Sequence, residues 1–384
     1  MTLGQGTGTS RAAGLAAAVV VLCGGCNSHE SPGTDAGARP AAAEEPVLHI
    51  YNWSDYIGFD TVERFEKLTG IHVVYDVYDS NEILESKLLI GDSGYDLVST
   101  TTGFYGRQIQ SGLYEPLDRS LLPNWKNLDP QVLTIQAQAD PGNRFAVPYL
   151  HAINGFAYNV DLVRARMPDA PVDSLDMLFK PEVIAHFADC GISFLDSPED
   201  VLQLALGYLH LDPNSTGKED LEAAVRLVMA VRPYIRVFDS ADYFNQLASG
   251  ELCITMAWSS DYETAQHRSR RAGLDLHLAF TVPKEGSNVT YNAFLIPKGA
   301  PHPQAAHRFL NYILDGRVIA QITNDIFYGN DNLASLPFVN PDLLKDPIVF
   351  PPPEMRARLY IPAQVDAKYQ RLRTRAWTRI RTGT

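Results

Sequence analysis

Apolar residues near the start of the chain recur first with the spacing of a strand and then with that of a helix. Residues 48–53 are mostly apolar or aromatic and predict a first strand, while Val62, Phe65 and Leu68 fall on one face of a helix. Residues 71–78 are rich in β-branched and aromatic side chains, which predicts a second strand. The chain therefore begins as a strand–helix–strand unit.

The same alternation continues through residue 103. Residues 79–82 open a second helix that Gly91 ends, and residues 95–100 predict a third strand. A series of this kind gives parallel strands joined by right-handed crossovers. Such sheets bind ligands beyond the carboxyl ends of their strands, and both residues 53–56 and residues 99–103 lie at such ends.

The rest of the chain repeats these patterns around one long extended stretch. Residues 145–159 are predicted to be extended, although Pro148 and Gly155 interrupt them, and are a candidate crossing between two lobes. Residues 259–262 follow a predicted strand and form a second cluster of aromatic and acidic side chains. The other predicted elements are helices at 170–179, 181–189, 201–209, 221–231, 243–249, 303–314 and 368–381, and strands at 191–195, 234–239, 252–258, 277–282 and 291–296.

The first residues do not fit a folded pattern. Arg11 is followed by an apolar run at residues 12–22. This run is shorter than the ~20 residues that a membrane-spanning helix needs. Residues 1–26 are therefore predicted to be an export signal rather than part of the fold.

The end of this signal resembles that of a bacterial lipoprotein. Gly24 and Gly25 precede Cys26, which would be the lipidated residue, although Cys23 stands where Leu is usual. Plain cleavage of the signal is the alternative. Residues 27–46 are rich in Ser, Gly, Pro, Ala and acidic residues, which predicts a flexible tether.

Composition and charge narrow the range of partners. The 384 residues are 45% hydrophobic and 20% charged, which is typical of globular proteins and enough for two domains. The formal net charge is −13 and the pI is near 5.2. Nucleic acid and anionic membrane surfaces are therefore not expected as partners, whereas a cationic ligand would be attracted.

Residues 53–56 carry the side chains that a small organic cation needs. Two rings, a hydroxyl and a carboxylate stand together in Trp53, Ser54, Asp55 and Tyr56. Carboxylates neutralise an ammonium group, and ring faces attract cations and cover alkyl chains. The alternative interpretation is a strand end with ordinary surface residues.

Two cysteines, Cys190 and Cys253, lie beyond the predicted signal. In an exported protein such a pair favours a disulfide over two free thiols. A metal site would need more ligands. His302 and His307 stand five residues apart, which does not align them well on one helix face. We therefore expect neither a metal nor another cofactor.

Signatures of catalysis are missing from the sequence. It contains no Gly-x-Ser-x-Gly elbow, no phosphate-binding loop and no His-Glu-x-x-His motif. Spacing alone leaves a two-carboxylate hydrolase open, but nothing else favours it. We expect a protein that is not an enzyme.

The stretch Tyr51–Ile57 (YNWSDYI) is similar to a motif of the polyamine-binding periplasmic proteins. Within that family the chain resembles most the putrescine-binding members that serve ABC importers. The similarity runs along nearly the whole mature chain. Other matching stretches are residues 74–82, 128–130, 170–174, 193–196, 212–216, 283–286 and 373–378.

This resemblance implies a type II periplasmic-binding-protein fold. It is an α/β fold with two lobes that close on a ligand like a hinge, and each lobe holds a mainly parallel sheet flanked by helices. Lobe 1 is expected to comprise residues 47–150 and about 280–322. Lobe 2 is expected to comprise about residues 151–279 and 323–384.

The family's site residues can be transferred where this sequence matches them. The resemblance implies that residues 53–56 form the near-lobe wall of the ligand site and that Trp258 and Asp261 form the far-lobe wall. It also implies a site ring at Tyr328 and a disulfide between Cys190 and Cys253.

Five positions depart from the family pattern. Thr101 stands where Ser is usual, and Asp200 stands where putrescine binders have Glu. Thr290 replaces an aromatic residue, and Asn292 replaces an Asp that holds one ligand ammonium. His151, near the first crossing, stands where Trp is common. Thr101, Asp200, Thr290 and Asn292 are still expected to contact the ligand, and the departures predict a changed specificity.

The resemblance implies capture of a polyamine in the periplasm and its delivery to an ABC permease in the inner membrane. The protein is expected to be a monomer, anchored through Cys26 if that residue is lipidated. The ligand is expected to be putrescine or a related amine such as spermidine, cadaverine or agmatine. Because Asn292 and Thr290 offer hydrogen-bond donors, a linear ω-amino acid such as 4-aminobutyrate or 5-aminovalerate is the first alternative. The second is a protein that presents its ligand to a signalling receptor.

Overall fold

The computed structural model describes residues 45–274 and 276–384. The predicted export signal, Cys26 and the predicted tether up to residue 44 lie outside the described residues. Within these two ranges no helix is both long enough and apolar enough to cross a membrane.

Strands and helices follow one another along both described ranges. The strands are β1 (Val47–Trp53), β2 (His72–Tyr78), β3 (Leu97–Thr101), β4 (Tyr114–Glu115), β5 (Val147–Asn159), β6 (Ile192–Phe194), β7 (Val237–Phe238), β8 (Ile254–Trp258), β9 (Leu278–Thr281), β10 (Ser287–Pro297), β11 (Gly329–Asn330) and β12 (Leu359–Tyr360). The helices are α1 (Thr61–Thr69), α2 (Asn81–Ile90), α3 (Thr102–Gln110), α4 (Pro130–Gln136), α5 (Val160–Arg166), α6 (Asp176–Phe179), α7 (Pro181–Ile184), α8 (Pro198–Tyr208), α9 (Lys218–Val231), α10 (Tyr243–Ser249), α11 (Ser259–Arg271), α12 (Pro303–Ile313), α13 (Gly316–Ile326), α14 (Pro341–Lys345), α15 (Pro353–Arg356) and α16 (Ala367–Thr382). Short 3-10 helices cover Arg119–Leu121, Pro123–Asn127, Ala185–Phe187, Arg232–Tyr234 and Leu333–Phe338.

The predicted α/β fold is confirmed, beginning with its first strands. β1 pairs in parallel with both β2 and β3, and β10 adds to β3 in the antiparallel direction. Gly70 ends α1 in the left-handed conformation, with φ of 72°, which glycine adopts without a steric penalty. Ser80 caps α2 by accepting the backbone N–H of Ile83.

Two long strands, β5 and β10, lie in the middle of the sheet. The strand order is β2-β1-β3-β10-β5-β8-β6-β7. Residues 147–153 of β5 pair with β10, whereas residues 154–158 pair with β8 and residues 156–159 with β9. β5 therefore runs from one half of the sheet into the other.

Two large apolar cores pack against the two halves of the sheet. The first core takes its side chains from residues 48–152 and 294–328, and Phe65, Phe294 and Phe309 are fully buried in it. The second core takes them from residues 156–278 and 365–380. The two halves of the sheet thus have separate apolar cores, which supports the prediction of two lobes.

Residues 323–350 pack with the first core. Tyr328 belongs to that core, and Val339, Leu343 and Val349 form a small cluster with Ala320 of α13. β11 also pairs with the part of β5 that lies in the first half of the sheet. We expected this segment in lobe 2, whereas its contacts favour lobe 1. The division into lobes itself stays a prediction.

Cys190 and Cys253 are joined by a disulfide bond. Cys190 lies two residues before β6 and Cys253 immediately before β8, and these two strands pair in parallel. The pairing brings the two Cα atoms to 5.5 Å, across a sequence separation of 63 residues. The bond therefore links two neighbouring strands of the second core.

Candidate ligand-binding site

A cavity of about 150 Å³ is lined by side chains from both halves of the sheet. A single buried water needs only about 10–15 Å³ by the same measure, so the cavity has room for a small organic molecule. It is lined by all the ligand-contacting residues proposed from the sequence, which are residues 53–56, Thr101, Asp200, Trp258, Asp261, Thr290, Asn292 and Tyr328. The structure therefore brings these side chains together, and their contacts with a ligand stay predictions.

The topology explains why these residues meet. Trp53 ends β1 and Thr101 ends β3, so both lie at the carboxyl ends of parallel strands, where such sheets bind ligands. Asn292 lies on β10 directly opposite Thr101. Asp55 has a φ of 52°, in the left-handed region that Asp tolerates better than most residues. This conformation turns the chain sharply after β1.

Two acidic residues of the opposite wall lie at the beginning of helices. Asp200 is in the first turn of α8, which Ser197 caps by accepting the Asp200 backbone N–H. Asp261 is in the first turn of α11. Because the N-terminal end of a helix carries partial positive charge, both positions favour an ionised carboxylate.

Asp261 accepts hydrogen bonds from two tyrosines. The Tyr328 hydroxyl donates to Oδ1 at 3.0 Å, and the Tyr243 hydroxyl donates to Oδ2. Burial raises the pKa of Asp261 to about 6, because it outweighs these two donors, and the negative charge of Asp55 adds to the rise. Among the described residues no salt bridge neutralises Asp261. This carboxylate therefore favours a cation that comes from outside the chain.

Aromatic rings pack on both tyrosines that bind Asp261. The Tyr56 ring lies edge-on to Tyr328 with centroids 4.5 Å apart, and the Trp258 ring lies 6.3 Å from Tyr243. The Trp258 backbone N–H also donates to the Tyr243 hydroxyl at 3.2 Å. These contacts fix the two donors, and they place ring surface next to the carboxylate, where it can attract an ammonium and cover an alkyl chain.

Asp200 is a second cavity carboxylate of the same kind. The Asn288 amide donates to its Oδ1 at 2.9 Å. Burial raises the pKa of Asp200 to about 6, and the charge of Glu199 adds to the rise. Glu199 itself pairs with Arg373 at 3.2 Å, and their side chains are 13% and 4% exposed. Because Arg373 pairs with Glu199, Asp200 remains an anion that a ligand can neutralise.

Asn292 uses its amide donor on a tyrosine. Its Nδ2 donates to the Tyr56 hydroxyl at 2.9 Å. An Asp at this position would accept a hydrogen bond from that hydroxyl and would add a negative charge. With Asn, the Tyr56 hydroxyl accepts this hydrogen bond and can still donate one of its own to another acceptor. This part of the cavity therefore offers a hydrogen-bond donor where an acid would offer a charge.

One ion pair connects the two walls of the cavity. Arg268, on α11, reaches Asp55 in the loop after β1, with Nη2 3.4 Å from Oδ2. The guanidinium also lies over the ring of Phe244 at 4.7 Å and donates to the Asn245 side chain. Because Asp55 and Arg268 are 69% and 41% exposed, water screens this pair strongly.

Several cavity residues were not predicted. They are residues 78–82, residues 196–199, residues 240–241, Phe104, Ala152 and Phe244. Residues 78–82 include the last residue of the predicted second strand and the four that follow it, so the rule that ligands bind at the carboxyl ends of strands would have found them. Phe244 lies inside a short helix, and its sequence neighbourhood carries no signal that it faces a ligand.

His151, one of the departures from the family pattern, is not among the residues that line the cavity. In the part of the chain that the structure describes, no group of three or more His, Cys, Asp or Glu side chains is placed to hold a metal ion. The chemistry of the cavity is therefore that of carboxylates, hydroxyls, amides and rings.

Comparison with known proteins gives consistent results. A family model described as bacterial extracellular solute-binding protein matches residues 60–351. The chain is 46% identical over 344 residues to the putrescine-binding periplasmic protein PotF of Escherichia coli, covering 89% of this chain and 93% of the relative. It is 43% identical to the putrescine-binding periplasmic protein SpuD of Pseudomonas aeruginosa, covering 89% and 94%. Its structure is similar to that of the spermidine/putrescine ABC transporter substrate-binding protein PotD of Streptococcus pneumoniae, with a TM-score of 0.72, 25% identity and coverage of 88% and 99%.

Proposed function

Because the chain belongs to the family of bacterial extracellular solute-binding proteins, we propose that it captures a linear diamine of the putrescine class in this cavity. The observation that carries the proposal is the pair of buried carboxylates, Asp261 and Asp200. Neither forms a salt bridge within the described residues, and the positive charges of Arg268 and Arg373 are the weakest influences on their pKa values. Aromatic rings flank the first of them. Two anions on different helices, with apolar ring surface beside one of them, match a molecule with an ammonium at each end and methylenes between.

The energetics favour such a ligand. Removing an ammonium from water costs several kcal/mol unless it is paired and hydrogen-bonded. Asp261 can pair one ammonium, and the Trp258 and Tyr56 rings add cation–π attraction of about 0.5–2 kcal/mol. Asp200 can pair the other. The net charge of −13 attracts the dication from a distance.

The relatives support the same ligand class. The two that are 46% and 43% identical are named as putrescine-binding periplasmic proteins. The similarity covers most of both chains, so it includes both walls of the cavity. On this basis the protein works in the periplasm, and a lipid on Cys26 would hold it at a membrane.

The mechanism is capture and delivery without chemistry. A ligand that contacts both walls binds the closed arrangement better than the open one, and this difference in affinity drives closure. The closed monomer then docks on an ABC permease. No bond is made or broken, so the ligand should be recovered chemically unchanged. Loss of labelled putrescine uptake in a strain without this protein would separate transport from ligand presentation to a receptor.

Calorimetric titration of the purified protein tests the ligand class. We expect saturable binding of putrescine at one site, and we would compare it with cadaverine, agmatine, spermidine, 4-aminobutyrate and 5-aminovalerate. The ω-amino acids are the second candidates, because the Asn292–Tyr56 pair offers a donor to a carboxylate. Binding of the ω-amino acids without binding of any diamine would reject the proposal in favour of that alternative.

The Asn292→Asp variant should bind putrescine more tightly. The new carboxylate accepts a hydrogen bond from the Tyr56 hydroxyl and adds another negative charge to the cavity, so we expect a gain of about 1–2 kcal/mol, which is roughly 5- to 30-fold in Kd. Isothermal titration calorimetry measures it. Asn292→Ala removes the amide without adding charge and serves as the control. Equal affinity of the Asp variant and the wild type would show that this position does not set the strength of amine binding.

The Arg268→Gln variant should weaken putrescine binding slightly. The change removes the ion pair with Asp55 that joins the two walls, and exposed pairs contribute only about 0.2–1 kcal/mol. We therefore expect a rise in Kd of roughly 1.4- to fivefold that disappears at high salt. Arg270→Gln is the matched control, because Arg270 donates to Gln266 on the same helix and, within the described residues, forms no ion pair with the opposite wall. An equal effect of both variants would argue against a specific contribution from the Arg268 pair.

A further inference from the structure

His151 forms a buried pair with Asp331 where β5 passes between the two halves of the sheet. Its Nδ1 lies 2.8 Å from Oδ1 of Asp331, and its Nε2 lies 3.2 Å from the backbone carbonyl oxygen of Val349. The side chains are 11% and 2% exposed. Both ring nitrogens of His151 therefore face oxygen atoms in a site that is almost inaccessible to solvent.

The hydrogen-bond pattern indicates how many protons this pair holds. A carbonyl oxygen only accepts, so Nε2 must carry a hydrogen. The second nitrogen faces an oxygen of a carboxylate, and that contact needs a proton as well. The pair of His151 and Asp331 thus holds one proton more than a neutral imidazole beside an ionised carboxylate. With both hydrogens on the ring, His151 is an imidazolium cation that donates to both acceptors.

The groups around the pair do not supply another donor to the carboxylate. Asp331 Oδ2 is buried and has no hydrogen-bond partner in the described structure. Burial raises the pKa of Asp331, the charge and hydrogen bond of His151 oppose the rise, and Asp129 and Arg356 act more weakly in opposite directions. Tyr291 on β10 packs its ring 5.8 Å from the imidazole. His151 is therefore the main partner of this carboxylate.

The pair lies next to a segment that shapes the ligand cavity. β11 pairs its two residues with His151 and Leu150 of β5. Tyr328, the residue just before β11, lines the cavity and donates its hydroxyl to Asp261 at 3.0 Å. A Cβ atom on Gly329 would overlap both the His151 ring and the Val349 carbonyl, so the segment lies directly against the imidazole.

We propose that His151 and Asp331 form an imidazolium–carboxylate pair that positions Tyr328 against Asp261. The two residues do not touch the ligand, so they are positioning residues, and their influence on binding rests on the proposed function of Asp261. The pair stabilises the packing of β11 on β5, and Tyr328 directly precedes β11. Loss of the shared proton leaves either the carboxylate or the Val349 carbonyl facing a nitrogen without hydrogen, which loosens this segment and weakens the donor to Asp261.

Nuclear magnetic resonance of the ring nitrogens tests the proton count without any ligand. In the ¹⁵N-histidine-labelled wild type at pH 7, both nitrogens of His151 should show the shifts of a protonated imidazolium. The resonances are assigned from their loss in His151→Gln. In Asp331→Asn the doubly protonated pattern should disappear. A wild-type His151 with only one protonated nitrogen at pH 7 would overturn the proposal, whether or not the protein binds amines.

A double-mutant cycle tests the link to Tyr328. Asp331→Asn should raise the Kd for putrescine about 3- to 10-fold, and in the Tyr328→Phe background the same change should have less than about a twofold effect. A purely structural role would give the same loss in both backgrounds, and that result would overturn the positioning role. His302→Gln is the matched control. His302 also pairs with a buried carboxylate, Asp96, at 3.0 Å, but Asp96 directly precedes β3, at the end of that strand opposite to the cavity residue Thr101. Its Kd should stay within about twofold of the wild type.

Discussion

Replacing Asp261 by Asn lowers the affinity for putrescine by about 2–5 kcal/mol, roughly 30- to 5000-fold. The change keeps the shape of the side chain and removes the charge that neutralises one ammonium. It also replaces one of the two acceptor oxygens by an amide NH2 group. The hydroxyls of Tyr328 and Tyr243 then can no longer both donate to this side chain. The ammonium would then be buried without a counter-charge, which is the most costly outcome for a cation in a site of this kind.

Calorimetry on this variant needs a control in the same cavity. Asp79→Asn serves, because Asp79 also lines the cavity but is exposed and bonds to the Ser54 hydroxyl at 3.0 Å. We expect less than about a threefold change there, since an exposed charge is well screened. Similar losses in the two variants would point to general electrostatic attraction. An Asp261→Asn protein that binds as the wild type does would refute the assignment of the site.

Lowering the pH from 7 to 5 weakens putrescine binding about 100-fold. In the free protein burial raises the pKa of both Asp261 and Asp200 to about 6. Putrescine pairs with the ionised carboxylates, so binding lowers both pKa values and releases protons when the pH is near 6. The ionised fraction of each group falls from about nine-tenths at pH 7 to about one-tenth at pH 5, which costs roughly a factor of ten per carboxylate. Affinity is therefore present above pH 6 and is lost as the pH falls through that value.

Titrations at pH 5, 6, 7 and 8 measure this profile, and buffers with different ionisation enthalpies measure the protons released. The Asp200→Asn variant isolates one group. It binds more weakly at pH 7, but its affinity should fall only about tenfold between pH 7 and pH 5, because one titrating carboxylate remains. A profile that is flat across this range in the wild type would mean that neither carboxylate meets an ammonium.

The wall formed by residues 53–56 could be predicted from the sequence because the signal is local. A strand followed by a helix and a second strand places the end of the first strand at the binding edge of a parallel sheet. Polar and aromatic residues crowded at that end then indicate a site. The cluster at residues 259–262 gives the same signal, and the family resemblance added the opposing position Asp200.

The donors to Asp261 could not be predicted. Tyr243 stands 18 residues before Asp261 and Tyr328 stands 67 residues after it. Their hydroxyls reach the carboxylate only because α10 packs on α11 and because β11 pairs with β5. Side-chain contacts of this kind depend on how elements approach one another, and periodicity within an element carries no information about that.

The extent of each lobe was the weakest part of the sequence interpretation. The apolar residues in 323–350 show that the segment is buried, but they do not show against which core. The pairing of β11 with residues 150–151 and the packing on α13 favour the first core, and the division into lobes stays a prediction. The first of these contacts joins positions 178 and 180 residues apart in the chain, which no local pattern can indicate.

The discontinuous first core has a consequence for how the chain folds. Val98 of β3 pairs with Leu295 of β10, which is made 197 residues later. Until β10, α12 and α13 are available, β1 to β3 carry an uncovered apolar face and an open strand edge. Pairing across so long a loop is slow. Most of the second core, residues 156–278, is contiguous and can collapse earlier. The first core therefore closes late, and until then its strands are the part of the chain that needs protection from proteases and from aggregation.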